Sequence, residues 1–207
     1  MIVSVDFDNT IALYDEAFRA AALERGLVSP DFTGGRAALR ALLRQHQDGE
    51  TAWMTVQGYV YGAGISRAVV ADGFRAFAKQ INENGHRLVV VSHKTQYGHF
   101  DPLRVDLRVA ALDWMKSNGL VDQKDAIVSS DDVYFEPTRA AKVARIASLA
   151  PSVHVDDLIE VFTDTGYPRT VRGVLLADRP ECELPAHVTT CRNWTDVRGE
   201  IADVATA

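Results

Sequence analysis

The chain has 207 residues, a formal net charge of −6 and a hydrophobic fraction of 47%. These values fit one moderate domain, or a core with a small insertion, and the acidic balance argues against a general nucleic-acid or anionic-membrane surface. The two cysteines are too few for a disulfide framework. Because the sequence also shows no leader-like start and no apolar run of transmembrane length, we expect a protein of the cytoplasm.

The first ten residues, MIVSVDFDNT, predict a buried strand that runs into a polar loop. The strand is apolar and rich in β-branched residues. Three polar residues follow at every second position, where open α/β sheets place their ligands: Asp6, Asp8 and Thr10. Two carboxylates this close repel each other unless a cation or a proton lies between them. The alternative is an N-terminal strand that ends in an ordinary polar turn.

From Ile11 to Gly85 the spacing of apolar residues predicts helices and no strand. The predicted helices cover residues 11–26, 36–47, 50–61 and 67–84. This region is therefore predicted to be a helical insertion, and the predicted domains are a core of residues 1–12 and 85–207 and an insertion of residues 13–84.

After Gly85 the pattern changes to strands that alternate with helices. The predicted strands cover residues 86–92, 126–129, 153–155, 171–177 and 188–191. The predicted helices cover residues 103–118, 137–149 and 196–204. Such alternation predicts an α/β fold with a doubly wound parallel sheet.

Polar residues again stand where the predicted strands end. Ser92 ends LVVVS, and a polar loop that begins with His93 and Lys94 follows it. The stretch VHVDD ends in two acids, Asp156 and Asp157. His154 in this strand is expected to be structural. Lys142 lies on the helix before it, where a solvated surface lysine is the alternative interpretation.

The stretches VDFDNT, LVVVS and VHVDD, together with Lys142, resemble the four motifs of the haloacid dehalogenase (HAD) superfamily, whose members are mostly phosphatases. The motifs occur in the same order as in the family, and the resemblance covers residues 1–177 without matching the insertion in detail. It implies a Rossmann-like core and a small helical cap insertion of the C1 type, which would close over the site and admit small substrates.

The resemblance also implies roles for individual residues. The catalytic set would be Asp6 as nucleophile, Asp8 as general acid/base, Ser92 as a phosphoryl ligand and Lys142 as the charge-neutralising cation. Lys94 is the rival for the lysine role. The residues expected to contact substrate are Thr10, Ser92, His93 and Lys94.

A Mg²⁺ ion is the expected cofactor, because Mg²⁺ prefers a few carboxylates together with the substrate phosphate. The expected protein ligands are the acids at the strand ends. Asp6 and Asp156 would bind through their side chains, Asp8 through its backbone carbonyl by family analogy, and Asp157 is a further candidate.

The predicted function is Mg²⁺-dependent hydrolysis of a small phosphate monoester through an aspartyl-phosphate. In the family, carbon–halogen hydrolases and P-type pumps lack an acid at the position that Asp8 occupies here, so the resemblance favours phosphate-ester hydrolysis over dehalogenation. A sugar phosphate is favoured over a nucleotide because Lys94, Gln96 and His99 make the loop after Ser92 polar. The alternatives are a nucleotidase, a phosphomutase and a non-catalytic module that binds a phosphometabolite. The expected partner is a small phosphorylated metabolite, with no nucleic acid and no membrane, and the oligomeric state stays open.

Overall fold

Parallel strands alternate with helices along the chain in a computed structural model, which describes the backbone of residues 1–180 and 182–205 and the side chains up to residue 201. The strands are β1 (Ile2–Val5), β2 (Ala12–Leu13), β3 (Val69–Val70), β4 (Arg87–His93), β5 (Val133–Glu136), β6 (Val153–Asp156), β7 (Arg172–Leu176) and β8 (Val188–Cys191). The helices are α1 (Asp15–Glu24), α2 (Arg36–Leu43), α3 (Gly49–Tyr61), α4 (Phe74–Glu83), α5 (Leu107–Ser117), α6 (Arg139–Leu149), α7 (Ile159–Phe162) and α8 (Trp194–Ala205).

The main sheet of the described chain has six strands in the order β5-β4-β1-β6-β7-β8, and all neighbouring strands are parallel. Strand β1 is central and pairs with β4 on one side and β6 on the other. Parallel strands end at the same edge, so the residues that follow β1, β4 and β6 lie together. The predicted α/β class with a doubly wound, Rossmann-like parallel sheet is confirmed.

Both faces of the central strands are covered, which explains their continuous apolar runs. In β4, residues 88–91 are all buried. One cluster on this sheet joins β4, α6, α7 and the two strands at the β8 edge through these buried side chains: Val89, Val91, Val143, Ile146, Val161, Phe162, Tyr167, Val171, Leu175 and Val188.

Several predicted elements differ from the structure. The prediction that residues 11–85 contain no strand is wrong, because the short strands β2 and β3 lie in this region and pair with each other as a two-stranded sheet. The strand predicted at residues 126–129 contributes one bridge, from Val128 to Val121, and the sheet strand is β5 instead. Every residue of β5 is only half-buried, so it lacks the apolar run that identified the other strands. The helix predicted at residues 67–84 is shorter, because Gly73 has φ of 80° and α4 begins after it.

Helix α6 begins after Thr138, whose Oγ1 accepts a hydrogen bond from the Ala141 N–H at 3.1 Å. Pro137 was predicted inside this helix, and it precedes the cap instead. A threonine cap satisfies an N–H that the helix leaves without a partner and fixes where the helix starts. The start matters because Lys142 lies one turn later and points toward the sheet.

The described residues form two compact units. Unit 1 comprises Met1–Ile11, Val70–Lys94 and the described residues of Gly119–Ala207, and unit 2 comprises Ala12–Val69 and Thr95–Asn118. Helix α4 therefore groups with the sheet, and helix α5 groups with the helical unit. The predicted division, a core of residues 1–12 and 85–207 and an insertion of residues 13–84, placed α4 in the insertion and α5 in the core. Residues 181, 206 and 207 of that predicted core lie outside the described residues.

Unit 2 consists mainly of the helices α1, α2, α3 and α5. Its core is aromatic: Phe18 stacks on Trp53 with ring centroids 4.9 Å apart, and Tyr14 meets Tyr61 edge-on at 4.8 Å. Trp53 is therefore a core residue, as aromatic residues at helical spacing usually are. Among the described residues, no helix combines the length and apolarity needed to span a membrane.

Candidate active site

The predicted motif residues of unit 1 lie at one edge of its sheet. Asp6 directly follows β1, and its N–H donates to the Val155 carbonyl of β6 at 2.9 Å, so the ends of the two strands are joined. Asp156 is the last residue of β6, and Asp157 follows it. The short strands thereby bring the first and fourth predicted motifs together across 150 residues of sequence.

Lys142 lies between two of these acids. Its Nζ is 2.5 Å from Asp6 Oδ1 and 2.6 Å from Asp156 Oδ2. All three residues are buried, with Lys142 2% exposed. A surface lysine was the alternative interpretation of this helix position, and the structure contradicts it.

Burial and neighbouring charges shift the pKa values of this group. Desolvation, with repulsion from Asp156 and Asp8, raises the pKa of Asp6 to about 7, although Lys142 acts in the opposite direction. Burial alone would lower the pKa of Lys142, but the attraction of Asp156 and Asp6 is greater and raises it. Burial opposes ionisation of Asp156, yet Lys142 and His154 hold its pKa below the usual value. The group therefore contains one firmly charged lysine, one firmly charged carboxylate and one carboxyl poised near neutral pH.

Asp8 has a different cation. Lys94 Nζ lies 2.9 Å from Asp8 Oδ1 and 2.8 Å from Asp8 Oδ2, and Lys94 is itself buried. Its ammonium also lies 5.4 Å from the centre of the Phe7 ring. Asn9, next in the loop, has a φ of 58°, a left-handed conformation that asparagine tolerates better than most residues. The structure thus pairs the two candidate lysines with different acids.

The other predicted substrate contacts lie around the same loop. Ser92 is buried at the carboxyl end of β4, and His93 ends that strand with an exposed side chain, whose partial desolvation lowers the pKa of the imidazole. Thr10 is fully buried: its carbonyl accepts from the Trp194 Nε1–H at 3.2 Å, and its Oγ1 has no hydrogen-bond partner among the described residues. This burial favours a structural position for Thr10 beneath the loop.

Gln96 and His99, the other residues of the polar loop, belong to unit 2. The Gln96 side-chain amide donates to Asp106 Oδ2 at 2.9 Å, and the other oxygen of Asp106 accepts from the first N–H groups of α5. Gln96 therefore helps to fix the start of α5. His99 is exposed.

Two site residues were not identified from the sequence as part of the site. His154 Nε2 lies 2.9 Å from Asp156 Oδ2, and His154 Nδ1 lies 2.8 Å from Ser4 Oγ. Both residues are completely buried, and burial lowers the pKa of His154 so that the ring is neutral. The signal available in the sequence was alternation in β6, which places His154 and Asp156 on the same face.

The acids at this edge fit a hard cation. Asp6, Asp156 and Asp157 each offer an oxygen, and the three oxygens lie within 4.8 Å of one another. The set consists of oxygen donors alone, which Mg²⁺ prefers over nitrogen or sulfur. Lys142 is the cation shared by two of these acids, and repulsion from Asp156 and Asp8 adds to the effect of burial in raising the pKa of Asp6. These three residues would hold the ion.

No family model and no curated protein matches the chain. Solved structures do match over nearly the whole length. A HAD-superfamily hydrolase from Ehrlichia chaffeensis is 13% identical with a TM-score of 0.53, and the match covers 99% of this chain and 97% of that one. A HAD family hydrolase from Deinococcus radiodurans R1, solved with bound phosphate and sodium, is 15% identical with a TM-score of 0.52, covering 99% and 96%.

A third match is the protein tyrosine kinase A of Mycobacterium tuberculosis, which is 18% identical with a TM-score of 0.59 over 97% of each chain. At these identities the likeness concerns the fold, and neighbours of one fold differ in chemistry. The resemblance inferred from the four motifs is confirmed at that level: the chain has the fold of the haloacid dehalogenase superfamily hydrolases.

Proposed function

We propose that the protein is a Mg²⁺-dependent phosphatase that hydrolyses a small phosphate monoester through an aspartyl-phosphate on Asp6. One observation carries the proposal: a buried lysine joins Asp6 to Asp156 at the strand edge, with Asp8 two residues further along the same loop. Phosphoryl transfer depends mainly on positioning and charge neutralisation, and this arrangement offers both.

In the proposed reaction, Asp6 attacks phosphorus while the bond to the leaving oxygen breaks. Asp8 gives its proton to that oxygen and then removes a proton from the water that hydrolyses the aspartyl-phosphate. Both oxygens of Asp8 contact Lys94, so delivery of the proton requires at least one of these contacts to open. Lys142 offsets charge on Asp6 and on the phosphoryl group. Ser92 and His93, at the end of β4, contact the phosphoryl group or the rest of the substrate.

Bound Mg²⁺ would supply charge neutralisation and orient the phosphate. The side chains of Asp6, Asp156 and Asp157 would hold it, with the backbone carbonyl of Asp8 as a further ligand. The support is the oxygen-only donor set and the sharing of one lysine, Lys142, by two of its acids.

We further propose that the helical unit 2 acts as a cap and that the substrate is a small phosphorylated metabolite, with a sugar phosphate favoured over a nucleotide. The predominantly helical content of unit 2 supports the first point, and the polar loop after Ser92 supports the second. The free cysteines Cys182 and Cys191 suit a reducing, cytoplasmic setting.

A phosphate-release panel tests the function. Sugar phosphates, nucleoside monophosphates, phosphorylated acids, an aryl phosphate and a phosphotyrosine peptide are each incubated with Mg²⁺ or with EDTA. We expect Mg²⁺-dependent release, greatest from a compact substrate. A nucleotide preference would overturn the sugar-phosphate choice alone, and isomerised product would indicate a phosphomutase. A folded protein that binds a phosphate ester without releasing phosphate would be a binding module.

A further inference from the structure

A row of polar side chains crosses one face of the sheet beneath the proposed active site. Strand register pairs Ser4 of β1 with His154 of β6, and paired residues in parallel strands point to the same face. Asp156 follows on that face two residues after His154, and Asp6 lies two residues after Ser4. The row thus has a deep layer, Ser4 and His154, and an outer layer, Asp6 and Asp156.

Hydrogen bonds connect the two layers. His154 Nε2 lies 2.9 Å from Asp156 Oδ2, and a carboxylate can only accept, so Nε2 must carry a hydrogen and donate. On a neutral ring Nδ1 is then the acceptor, and it accepts from the Ser4 hydroxyl, whose Oγ lies 2.8 Å away. Asp156 thereby requires the tautomer with hydrogen on Nε2, and the Ser4 hydroxyl, whose Oγ also lies 3.4 Å from the Val153 carbonyl oxygen, is able to donate to the remaining nitrogen.

The ring is also held by packing. The Phe162 and Tyr167 rings lie 5.9 Å and 6.4 Å from the His154 ring, centroid to centroid. Gly173 is the register partner of His154 on β7, and a Cβ there would come within 2.7 Å of the Phe162 ring. The glycine lets Phe162 pack directly on the sheet beside His154. His154 therefore has one position and no access to water.

Asp156 is held from two directions. His154 reaches its Oδ2, and the Leu158 N–H donates to its Oδ1 at 3.1 Å. Lys142 also contacts Oδ2, but this lysine is shared with Asp6. Under the proposed function Asp6 takes up a phosphoryl group in each turnover, so the contacts of Lys142 change. The contacts from His154 and Leu158 do not involve Asp6.

We propose that His154 is a positioning residue: held by Ser4 on one side, it donates from Nε2 and fixes the carboxylate of Asp156 for Mg²⁺ binding while Lys142 follows the charge on Asp6. The inference rests on the proposed metal site and hence on the proposed function. Residues behind a metal ligand commonly contribute about 10- to 100-fold in metal affinity or activity, and that is the effect expected here.

Three replacements at position 154 separate the hydrogen bond from the packing. His154→Phe keeps a ring between Phe162 and Tyr167 and removes the donor. His154→Gln places an amide N–H near the position of Nε2, whereas His154→Asn places it near Nδ1, out of reach of Asp156. The matched control is His187→Phe, because His187 stacks on Tyr167 with centroids 5.5 Å apart and its Nε2 makes no hydrogen bond among the described residues.

The main measurement is Mg²⁺ binding by calorimetry on the folded variants. We expect His154→Phe and His154→Asn to weaken Mg²⁺ binding about 10- to 100-fold, and His154→Gln and His187→Phe to stay within about threefold of wild type. In phosphate release, the losses should be recovered at high Mg²⁺, as a metal-positioning role requires. Equal losses in the Gln and Asn variants, or unchanged Mg²⁺ binding in both His154→Phe and His154→Asn, would overturn the proposal.

Nitrogen-15 NMR of the histidine side chains gives a second readout, which needs no activity. We expect hydrogen on Nε2 of His154 in the wild type, because the Asp156 carboxylate accepts from that nitrogen. Hydrogen on Nδ1 alone in the wild type would overturn the proposal even if a variant fails to fold.

The two hypotheses fail separately. Mg²⁺ binding that responds to His154 in a protein without phosphatase activity would refute the proposed reaction and support the positioning role. Phosphatase activity without Mg²⁺ binding would refute the positioning role.

Discussion

Two lysine–carboxylate groups lie at the same edge of the sheet and differ in how charge is shared. In the first, Lys142 is divided between two buried acids, Asp6 and Asp156. In the second, Lys94 contacts both oxygens of one acid, Asp8. The first group therefore carries excess negative charge that a further cation can offset, while the second is balanced.

This difference assigns the two groups different tasks. Under the proposed function, the first group holds the metal ion and a lysine beside the attacking oxygen of Asp6, whereas the Lys94–Asp8 pair opens and closes as Asp8 transfers a proton. The depth of the groups agrees with this division: Lys142 belongs to a hydrogen-bonded row that reaches Ser4 inside the sheet, and Lys94 lies on the segment after β4. If the comparison is right, substitutions in the two groups have separable effects.

The largest effect is expected from Asp6→Asn, which keeps the size of the side chain and removes the attacking oxygen's charge. Turnover of the best substrate should fall at least about 10⁴-fold, as when other enzymes lose a nucleophile. Circular dichroism should show the wild-type fold, and Asp113→Asn, at an exposed position of α5, is the control. Near wild-type phosphate release from Asp6→Asn would assign the nucleophile to another residue.

Asp8→Ala should lower turnover by about 10²- to 10⁴-fold, the usual contribution of a general acid/base. Mg²⁺ binding should persist, because the proposed contact of this residue with the ion is its backbone carbonyl. Calorimetry on Asp8→Ala and Asp156→Ala provides the comparison, and only the second should lose the ion. Equal losses would mean that the two groups are not separate.

The fold was predictable because strands buried on both faces leave continuous apolar runs in the sequence, as β4 does. Strand β5 could not be predicted, because it is short, all of its residues are half-buried, and its sequence shows no clear alternation of apolar and polar residues. The start of α4 depended on the backbone conformation of Gly73, which a helical pattern of apolar residues does not report. The grouping of α5 with the helical unit depends on contacts between segments distant in sequence.

The acids of the site could be located because each ends a predicted strand. The ion pairs of the two lysines could not be predicted. The contacts of Lys142 with two acids depend on where helix α6 crosses the sheet, and the contact of Lys94 with Asp8 depends on the path of the chain after β4. Ser4 and His154 were missed as members of the site for a related reason. The sequence does not show which residue of another strand a polar side chain will face. Ser4 and His154 are neighbours because of the register between β1 and β6.

The two lysines can be compared directly on a small aryl phosphate, which lacks the outer groups of a metabolite. Lys142→Ala should lower kcat/KM by about 10²- to 10³-fold, as loss of a transition-state charge contact does. Lys94→Ala should lower kcat/KM less, because the Lys94 ammonium contacts Asp8 and acts on Asp6 only through that residue. Each variant is the matched control for the other. A greater loss from Lys94→Ala would give the charge-neutralising role to the loop lysine.

The smallest effect concerns stability and follows from the burial of Asp6, to which repulsion from Asp156 and Asp8 adds. The pKa of Asp6 is raised from 3.8 to about 7, chiefly by burial, so the folded protein binds a proton more tightly than the unfolded chain. Stability must then decrease as pH rises between these values, by up to about 4 kcal/mol from this group. Asp6→Asn removes the titration, so the variant should gain stability relative to wild type between pH 4 and pH 7 when urea unfolding is measured in EDTA. Saturating Mg²⁺ should reduce the difference, because the ion favours ionised Asp6. A wild-type-minus-variant difference that is flat across this range would mean that Lys142 already balances Asp6, and the contrast between the two lysine groups would be lost.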